Sequence, residues 1–162
     1  MPGLGAVPGD GEAAGRAAGQ QHLPLRVGQF LRPTGPGKSF RPLRFTADGW
    51  SELMRLEPGA GVPPHRHTWE VHAFNIAGTR EIFGTGERVG PGNYMYEPAG
   101  TIDGWGAVGD GPCVVHIKVT GVIEYLDEDG QVTETVSAAT QREVYLAWCQ
   151  EHSMCPAEQI LG

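Results

Sequence analysis

The 162-residue sequence has few basic residues, few cysteines and no long apolar runs. The sequence has 12 Lys and Arg residues and 19 acidic residues, which gives a net charge of −7. It also has no basic stripe of the kind that binds nucleic acid. No window approaches the roughly 20 apolar residues of a membrane span, and the first residues contain no apolar signal segment. Three cysteines cannot pair completely, which favours a reducing compartment. We therefore expect a cytoplasmic protein without a membrane or nucleic-acid partner.

Glycine and proline, in contrast, are abundant: 25 and 13 residues, nearly a quarter of the chain. Such a chain must turn often, which disfavours long helices and favours many short strands. Residues 1–21 contain mainly Gly, Ala, Pro and Gln, which predicts a disordered N-terminal tail. We expect one domain over residues 22–136, followed by a C-terminal helix and tail over residues 137–162.

Short β-prone segments separated by turn residues fill the middle of the chain. Residues 104–111 are interpreted as a loop, and Asp127-Glu-Asp-Gly130 as a hairpin turn. The pattern indicates an all-β fold, either a closed barrel or a double-sheet jelly roll. The predicted strands cover residues 50–57, 70–77, 79–83, 87–89, 93–97, 113–120, 122–126 and 131–136.

Only the end of the chain has a helical pattern. Val144, Tyr145 and Trp148 lie along one stripe of helical spacing, which predicts a helix over residues 138–151. Ser137 or Thr140 can cap its N-terminus. We expect this helix to pack on the outside of the barrel.

Three of the six histidines, His65, His67 and His72, lie within eight residues, with Glu70 among them. On an extended strand, His65 and His67 would point to the same face because side chains alternate. Two neutral imidazoles at that spacing can bind a divalent metal such as zinc, copper, iron or nickel. The alternative for an isolated pair is two surface histidines in a loop after Pro63-Pro64.

A second block of residues accompanies the histidine pair. Gly92 is followed by five residues, then by Pro98-Ala-Gly100, and after two more residues by Asp103. The two blocks, in this order, resemble the two motifs of the cupin superfamily, and the resemblance covers residues 39–134. It implies a cupin-type antiparallel double-sheet β-barrel that holds a metal ion near one mouth. In that superfamily the first motif supplies two histidines and usually a glutamate, and the second motif one histidine.

Several segments are closer to one subgroup of this superfamily. Phe40-Arg-Pro-Leu-Arg-Phe45, Pro64-His-Arg-His-Thr68 and Tyr96-Glu-Pro-Ala-Gly100 look like segments of the 2,4′-dihydroxyacetophenone dioxygenase family. That family uses non-haem iron and O₂ to cleave a carbon–carbon bond beside a carbonyl. The resemblance implies that His65 and His67 are metal ligands and that Glu97 is a catalytic carboxylate.

The third ligand departs from the family pattern, because Asp103 stands where the family has its third metal histidine. Two histidines and one carboxylate form a standard set for non-haem Fe(II), so Asp103 can complete the site. His116 is one alternative, because the register across residues 104–111 is unknown from the sequence. His72 is another, because it shares one side of its strand with Glu70, and either residue could take the place of the superfamily's glutamate. Fe(II) is the expected metal, and zinc, manganese and nickel are the other candidates.

These residues predict a dioxygenase that cleaves the bond next to a carbonyl in a small hydroxyketone or diketone. Its partners would be that substrate and O₂, and a homodimer would agree with the resemblance. Two alternatives are a zinc-binding module without turnover, like the cupin domain of certain anti-sigma factors, and a metal-dependent isomerase or cyclase of a biosynthetic pathway. The candidate aromatic walls of the substrate pocket are Trp69, Phe74, Tyr96 and Trp105.

Overall fold

The computed structural model describes residues 32–162. The predicted tail over residues 1–21, and the start of the expected barrel domain, lie outside the described residues. Within the described part, twelve strands precede two helices. Their bounds are β1 Arg32–Gly35, β2 Lys38–Phe45, β3 Gly49–Leu56, β4 Gly61–His67, β5 Val71–Ala77, β6 Thr79–Ile82, β7 Arg88–Val89, β8 Tyr94–Glu97, β9 Ile102–Val108, β10 Cys113–Thr120, β11 Ile123–Leu126, β12 Val132–Val136, α1 Ala138–Glu151 and α2 Glu158–Leu161.

The strands form two six-stranded antiparallel sheets. The first sheet has the order β1-β2-β3-β10-β5-β8, and the second has the order β12-β11-β4-β9-β6-β7. Strands adjacent in sequence are therefore often placed in different sheets, as in a jelly roll. The prediction of a double-sheet antiparallel barrel followed by a C-terminal helix is confirmed.

The core lies between the two sheets because each central strand alternates buried and outward-facing residues. In β10, Cys113, Val115 and Val119 are almost fully buried, while Lys118 between them is exposed. The inward row packs against apolar residues of the neighbouring strands, including Leu56 and Val71. Burial of such side chains stabilises the fold by about 25 cal/mol for each Å² removed from water.

Strand β9 corrects one prediction, because it covers much of the segment that was interpreted as a loop. Gly104 and Gly106 point to the outer side of β9, where an added Cβ would be crowded by the ring of Phe83, 3.0–3.3 Å away, and at Gly104 also by the β4 backbone at Val62 and Pro64. The glycines therefore leave room for an aromatic ring rather than breaking the strand. With the glycines outward, Asp103 and Trp105 point into the barrel.

The C-terminal region agrees with the predicted caps and turn. Asp127 Oδ1 accepts hydrogen bonds from the backbone N–H groups of Asp129 and Gln131, which closes the β11–β12 hairpin. Ser137 caps α1 by accepting from the N–H of Thr140, whose hydroxyl accepts from the N–H of Ser137 in return.

Helix α1 packs against the barrel through Tyr145 and Cys149, and the short helix α2 adds Ile160. The Tyr145 hydroxyl accepts a hydrogen bond from the N–H of Ala157 and so ties the two helices together. Among the helices of residues 32–162, none has the length and apolar character needed to cross a membrane.

Candidate metal centre

Strand β4 presents His65 and His67 to the interior of the barrel. Both residues are at most 4% exposed, as expected for residues two apart on one strand. Strand β4 lies between β11 and β9, and the register with β9 sets His65 opposite Asp103. Two adjacent strands therefore bring these three side chains together.

The three side chains are close enough to share one ion. His65, His67 and Asp103 each offer one ligand atom, and these atoms lie within 4.8 Å of one another. His65 Nε2 is 3.4 Å and His67 Nε2 is 3.7 Å from Asp103 Oδ1. The two imidazole rings are nearly perpendicular, with centroids 4.7 Å apart. This arrangement matches the ligand set predicted with Asp103 as the third member.

A backbone hydrogen bond sets the tautomer of His65. Its Nδ1 lies 2.8 Å from the carbonyl oxygen of Pro63, which can only accept, so Nδ1 carries the proton. The Nε2 lone pair is then free on the side that faces Asp103. This kind of support orients metal-binding histidines in many proteins.

Glu97, at the end of β8, is the second carboxylate beside these ligands. Its Oε2 lies 2.9 Å from His67 Nε2, but the imidazole N–H does not point at this oxygen, so the two atoms form no hydrogen bond. Both ring nitrogens of His67 and Oδ1 of Asp103 are buried without a hydrogen-bond partner in the described residues. Buried polar atoms in this state are costly, so the site fits a cation that they would share.

The electrostatics of the group also fit a cation. Burial lowers the pKa of His65, which keeps it neutral and able to bind metal. Burial acts in the same direction on His67, but Asp103 and Glu97 outweigh it and raise the pKa of His67 to about 9. Burial alone would raise the pKa of Asp103, but His67 and His65 bring it below its usual value. In the absence of a metal ion, a proton on His67 thus supplies the positive charge that a metal ion would otherwise supply.

Arg80, on β6, adds a fixed positive charge to the same interior. Its guanidinium lies 5.0 Å from the centroid of the Trp105 ring, in a cation–π arrangement. One nitrogen donates to the sulfur of Met95, and Nε has no hydrogen-bond partner among residues 32–162. Burial lowers the pKa of Arg80, while Glu97 and Asp103 oppose that shift.

A cavity of about 30 Å³ lies beside the ligands. Besides His65 and His67, it is lined by Arg80, Glu97 and Trp105. Glu52 of β3 reaches the same cavity and accepts a hydrogen bond of 3.0 Å from the indole N–H of Trp50. Further lining residues are Met54, Val62, Val71, Ala73, Ile117, Val119, Ile123 and Tyr125.

The structure does not bring the other two candidate histidines to this group. His116 lies between the buried Val115 and Ile117 on β10, so it points to the outer face of the first sheet. His72 on β5 also points outward, where Nδ1 contacts the Tyr94 hydroxyl. Alternation along a regular strand separates both residues from the interior.

The four candidate pocket aromatics divide in the same way. Trp105 is buried and lines the small cavity. Phe74 and Tyr96 are exposed on the outer face of the first sheet, and Trp69 is exposed in the turn before β5. The predicted pocket wall is therefore limited to Trp105, because the other three rings lie outside the barrel.

Sequence reasoning missed Glu52, Arg80 and Tyr125. Glu52 follows Trp50 by two residues and belongs to the inward row of β3. A charged residue in this otherwise apolar row could have indicated a functional site. Arg80 likewise shares a face with the buried Ile82. No spacing rule would have linked Tyr125 to the site, because its position depends on the pairing of β11 with β4.

The fold and the histidine–carboxylate group together define a cupin. The chain belongs to the family described as the ChrR Cupin-like domain, whose model matches residues 29–122, more than half of the sequence. None of the curated proteins matches the chain in sequence.

Solved structures with the same fold are only distantly similar in sequence. An RmlC-like cupin protein from Ralstonia eutropha is 20% identical, with a TM-score of 0.74 over 79% of this chain and 84% of its own. A second cupin-like protein from that organism is 22% identical, with a TM-score of 0.70 over 78% and 80%. An acetylacetone dioxygenase from Acinetobacter johnsonii is 15% identical, with a TM-score of 0.72 over 82% and 95%. At these identities the likeness establishes the fold.

Proposed function

We propose that this chain is a non-haem Fe(II) dioxygenase that cleaves the carbon–carbon bond beside a carbonyl in a small hydroxyketone or diketone. The observation that carries the proposal is the buried group of His65, His67 and Asp103. Two histidines and one carboxylate that leave open positions are typical of non-haem Fe(II) oxygenases. The acetylacetone dioxygenase of the same fold suggests the carbonyl class of substrate.

The proposed reaction has a simple balance. A hydroxyketone R–CO–CH₂OH and one O₂ give RCOOH and HCOOH, as the bond between the two oxygen-bearing carbons breaks. The substrate carbons are oxidised and O₂ is reduced, so no further oxidant or reductant is required. A bound Fe(II) would supply Lewis acidity towards the carbonyl and the ability to react with O₂.

The remaining steps fall to side chains of the cavity. Glu97 is buried at the cavity wall beside His67, so it is placed to accept the proton from the carbon next to the carbonyl. The guanidinium of Arg80 lines the same cavity and would stabilise the negative charge that this proton loss creates. His65, His67 and Asp103 would hold the metal.

The match to the ChrR cupin-like model favours a second function, a zinc-binding module without turnover. The same three ligands would serve a zinc ion, because zinc also accepts histidine and carboxylate ligands. In that case Glu97 and Arg80 would only balance the charge of the buried site. The two functions differ in metal content and in oxygen consumption.

The first experiment measures the metal content of protein purified without a metal-affinity tag, then oxygen uptake with a panel of hydroxyketones and diketones. Iron together with substrate-dependent oxygen uptake is the expected result. Zinc, with no uptake after exchange for Fe(II), would overturn the dioxygenase and support the module.

A matched pair of variants tests the role of Glu97. Glu97→Gln should retain the metal but lose oxygen uptake by about 10²–10⁴-fold, the range for loss of a general base. Glu70→Gln changes an exposed carboxylate on the outer face and should leave uptake unchanged. Equal uptake in both variants would remove Glu97 from the reaction.

A further inference from the structure

The cavity beside the metal ligands is too small for an organic substrate. Its volume of about 30 Å³ would hold about two water molecules, since each needs roughly 10–15 Å³ of such space. Pockets that bind small molecules usually enclose about 300–1,000 Å³. A hydroxyketone or diketone must therefore occupy other space, with only its reactive end near the ligands.

A second cavity of about 620 Å³ provides that space. It lies where β2 and β3 of the first sheet face the β11–β12 hairpin and helix α1. Its lining is mixed, with apolar side chains from Phe40, Leu126, Val136 and Val144 and polar ones from Lys38, Gln141 and several threonines. The exposed Glu134 also lines it, so the cavity opens to the surface at the hairpin. Its volume and lining suit a partly apolar small molecule.

The two cavities share three lining residues, Glu52, Met54 and Tyr125. Tyr125 forms the contact to the metal group, since the centroid of its ring lies 5.6 Å from that of His65. The shared residues thus form the boundary between the large cavity and the small cavity beside the candidate metal site.

We propose that the 620 Å³ cavity binds the apolar body of a small ketone substrate, whose carbonyl end enters between the side chains of Glu52, Met54 and Tyr125 towards the metal site and hydrogen-bonds to Glu52. This assignment rests on the proposed function and adds the place in which its substrate binds.

Glu52 is suited to this contact because its carboxyl group is buried and only partly used. Its Oε2 accepts from Trp50, and no residue in the described range hydrogen-bonds to its Oε1. Burial raises the pKa of Glu52 to about 7, more than the Trp50 hydrogen bond lowers it. A carboxyl group in this state is protonated in part of the molecules near neutral pH and can donate to a carbonyl oxygen.

The test of the cavity is a binding measurement that needs no turnover. The probe is 2-hydroxyacetophenone, titrated anaerobically by calorimetry into the metal-loaded protein. The double variant Glu134→Trp/Gln141→Trp places two indoles in the large cavity, away from the small one. The matched control is Val132→Trp/Ala147→Trp, which changes the same strand and helix at exposed positions outside both cavities.

We expect the cavity variant to weaken probe binding at least about tenfold, with one equivalent of metal retained, and the control to bind like the original chain. Equal affinity in the two double variants would overturn the assignment, as would a failure of the original chain to bind the probe. Binding that depends on the cavity without oxygen uptake would instead overturn the dioxygenase while leaving the binding site in place.

A second pair of variants tests the contact to Glu52. Glu52→Met removes the carboxyl group and should weaken binding of the probe by about three- to tenfold, the effect of one hydrogen bond. Glu52→Gln keeps a donor and the bond to Trp50, so it should restore affinity to within about twofold. Unchanged affinity in Glu52→Met would remove Glu52 from the substrate contact.

Discussion

The interior of the barrel and the outer face of its first sheet carry similar side chains in different surroundings. Inside, the histidines face Asp103 and Glu97, and these four side chains are less than 10% exposed. Outside, His72 lies 3.6 Å from Glu70, and these two side chains are 37% and 47% exposed. Tyr96 donates to Glu70 in the same outer cluster.

The two clusters therefore differ in their exposure to water rather than in residue type or spacing. Water solvates the outer groups, so their mutual contacts contribute little to stability. The inner groups have lost that water, and their pKa values shift in the directions expected for a neutral His65 and an ionised Asp103. A cation would stabilise the inner cluster much more than the outer one.

The largest expected difference is in metal binding. The double variant His65→Ala/His67→Ala should lose the bound metal completely, because it removes two of the three ligand atoms in the group. His152→Ala, at the exposed end of α1, is the control and should keep one equivalent. Metal analysis after gel filtration, with circular dichroism to verify folding, measures both. A full equivalent in the double variant would place the metal elsewhere.

Buried and exposed carboxyl groups should also differ in how stability depends on pH. Burial raises the pKa of Glu52 from 4.5 to about 7, so the folded state holds this proton more tightly than the unfolded state. The stability that this tighter proton binding contributes is complete below about pH 4.5 and is lost as the pH rises through 7.

Glu52→Gln should therefore unfold like the original chain at pH 4 but be more stable at pH 8, by about 3 kcal/mol. Urea unfolding in the presence of a chelator measures the difference. Glu70→Gln, on the outer face, serves as the control and should show less than about 0.5 kcal/mol of change. If the two substitutions behave alike, the carboxyl group of Glu52 is not desolvated as the structure indicates.

The third ligand should have a smaller effect than the histidine pair. Asp103→Asn keeps the size but leaves a weak neutral ligand, so metal affinity should fall by about 10–100-fold. Asp103→His should retain the metal, since it supplies an imidazole. Asp110→Asn, in the exposed turn after β9, is the control. Competition with a chromogenic chelator measures the affinities, and an unchanged value for Asp103→Asn would exclude the carboxylate as a ligand.

Much of this contrast was accessible from the sequence. The spacing of His65 and His67 predicted a shared face, and the segment over residues 113–120 was predicted at the bounds that β10 has. These features depend only on alternation within one strand, which is local. The same holds for Ser137 and the helix that it caps.

The rest depended on pairing between strands. The glycines of β9 suggested a loop instead of a strand. The sequence therefore did not reveal that Asp103 lies opposite His65, or that His116 points outward. Register is determined by how whole strands pack, so short segments do not reveal it. Glu52 and Arg80 were missed because isolated charges on strands usually face water.

The smallest expected effect tests the boundary between the two clusters directly. His72→Ala and His116→Ala should each leave metal stoichiometry unchanged and the affinity within about twofold, because their strands direct both side chains away from the ligands. His72 is also exposed, so its loss should change the unfolding free energy by less than about 0.5 kcal/mol. His116 is half-buried, and a larger stability change there with intact metal binding would still agree with an outward position. A tenfold loss of affinity in either variant would mean that its strand presents the opposite face to the barrel, and the assignment of Asp103 as the third ligand would have to be reconsidered.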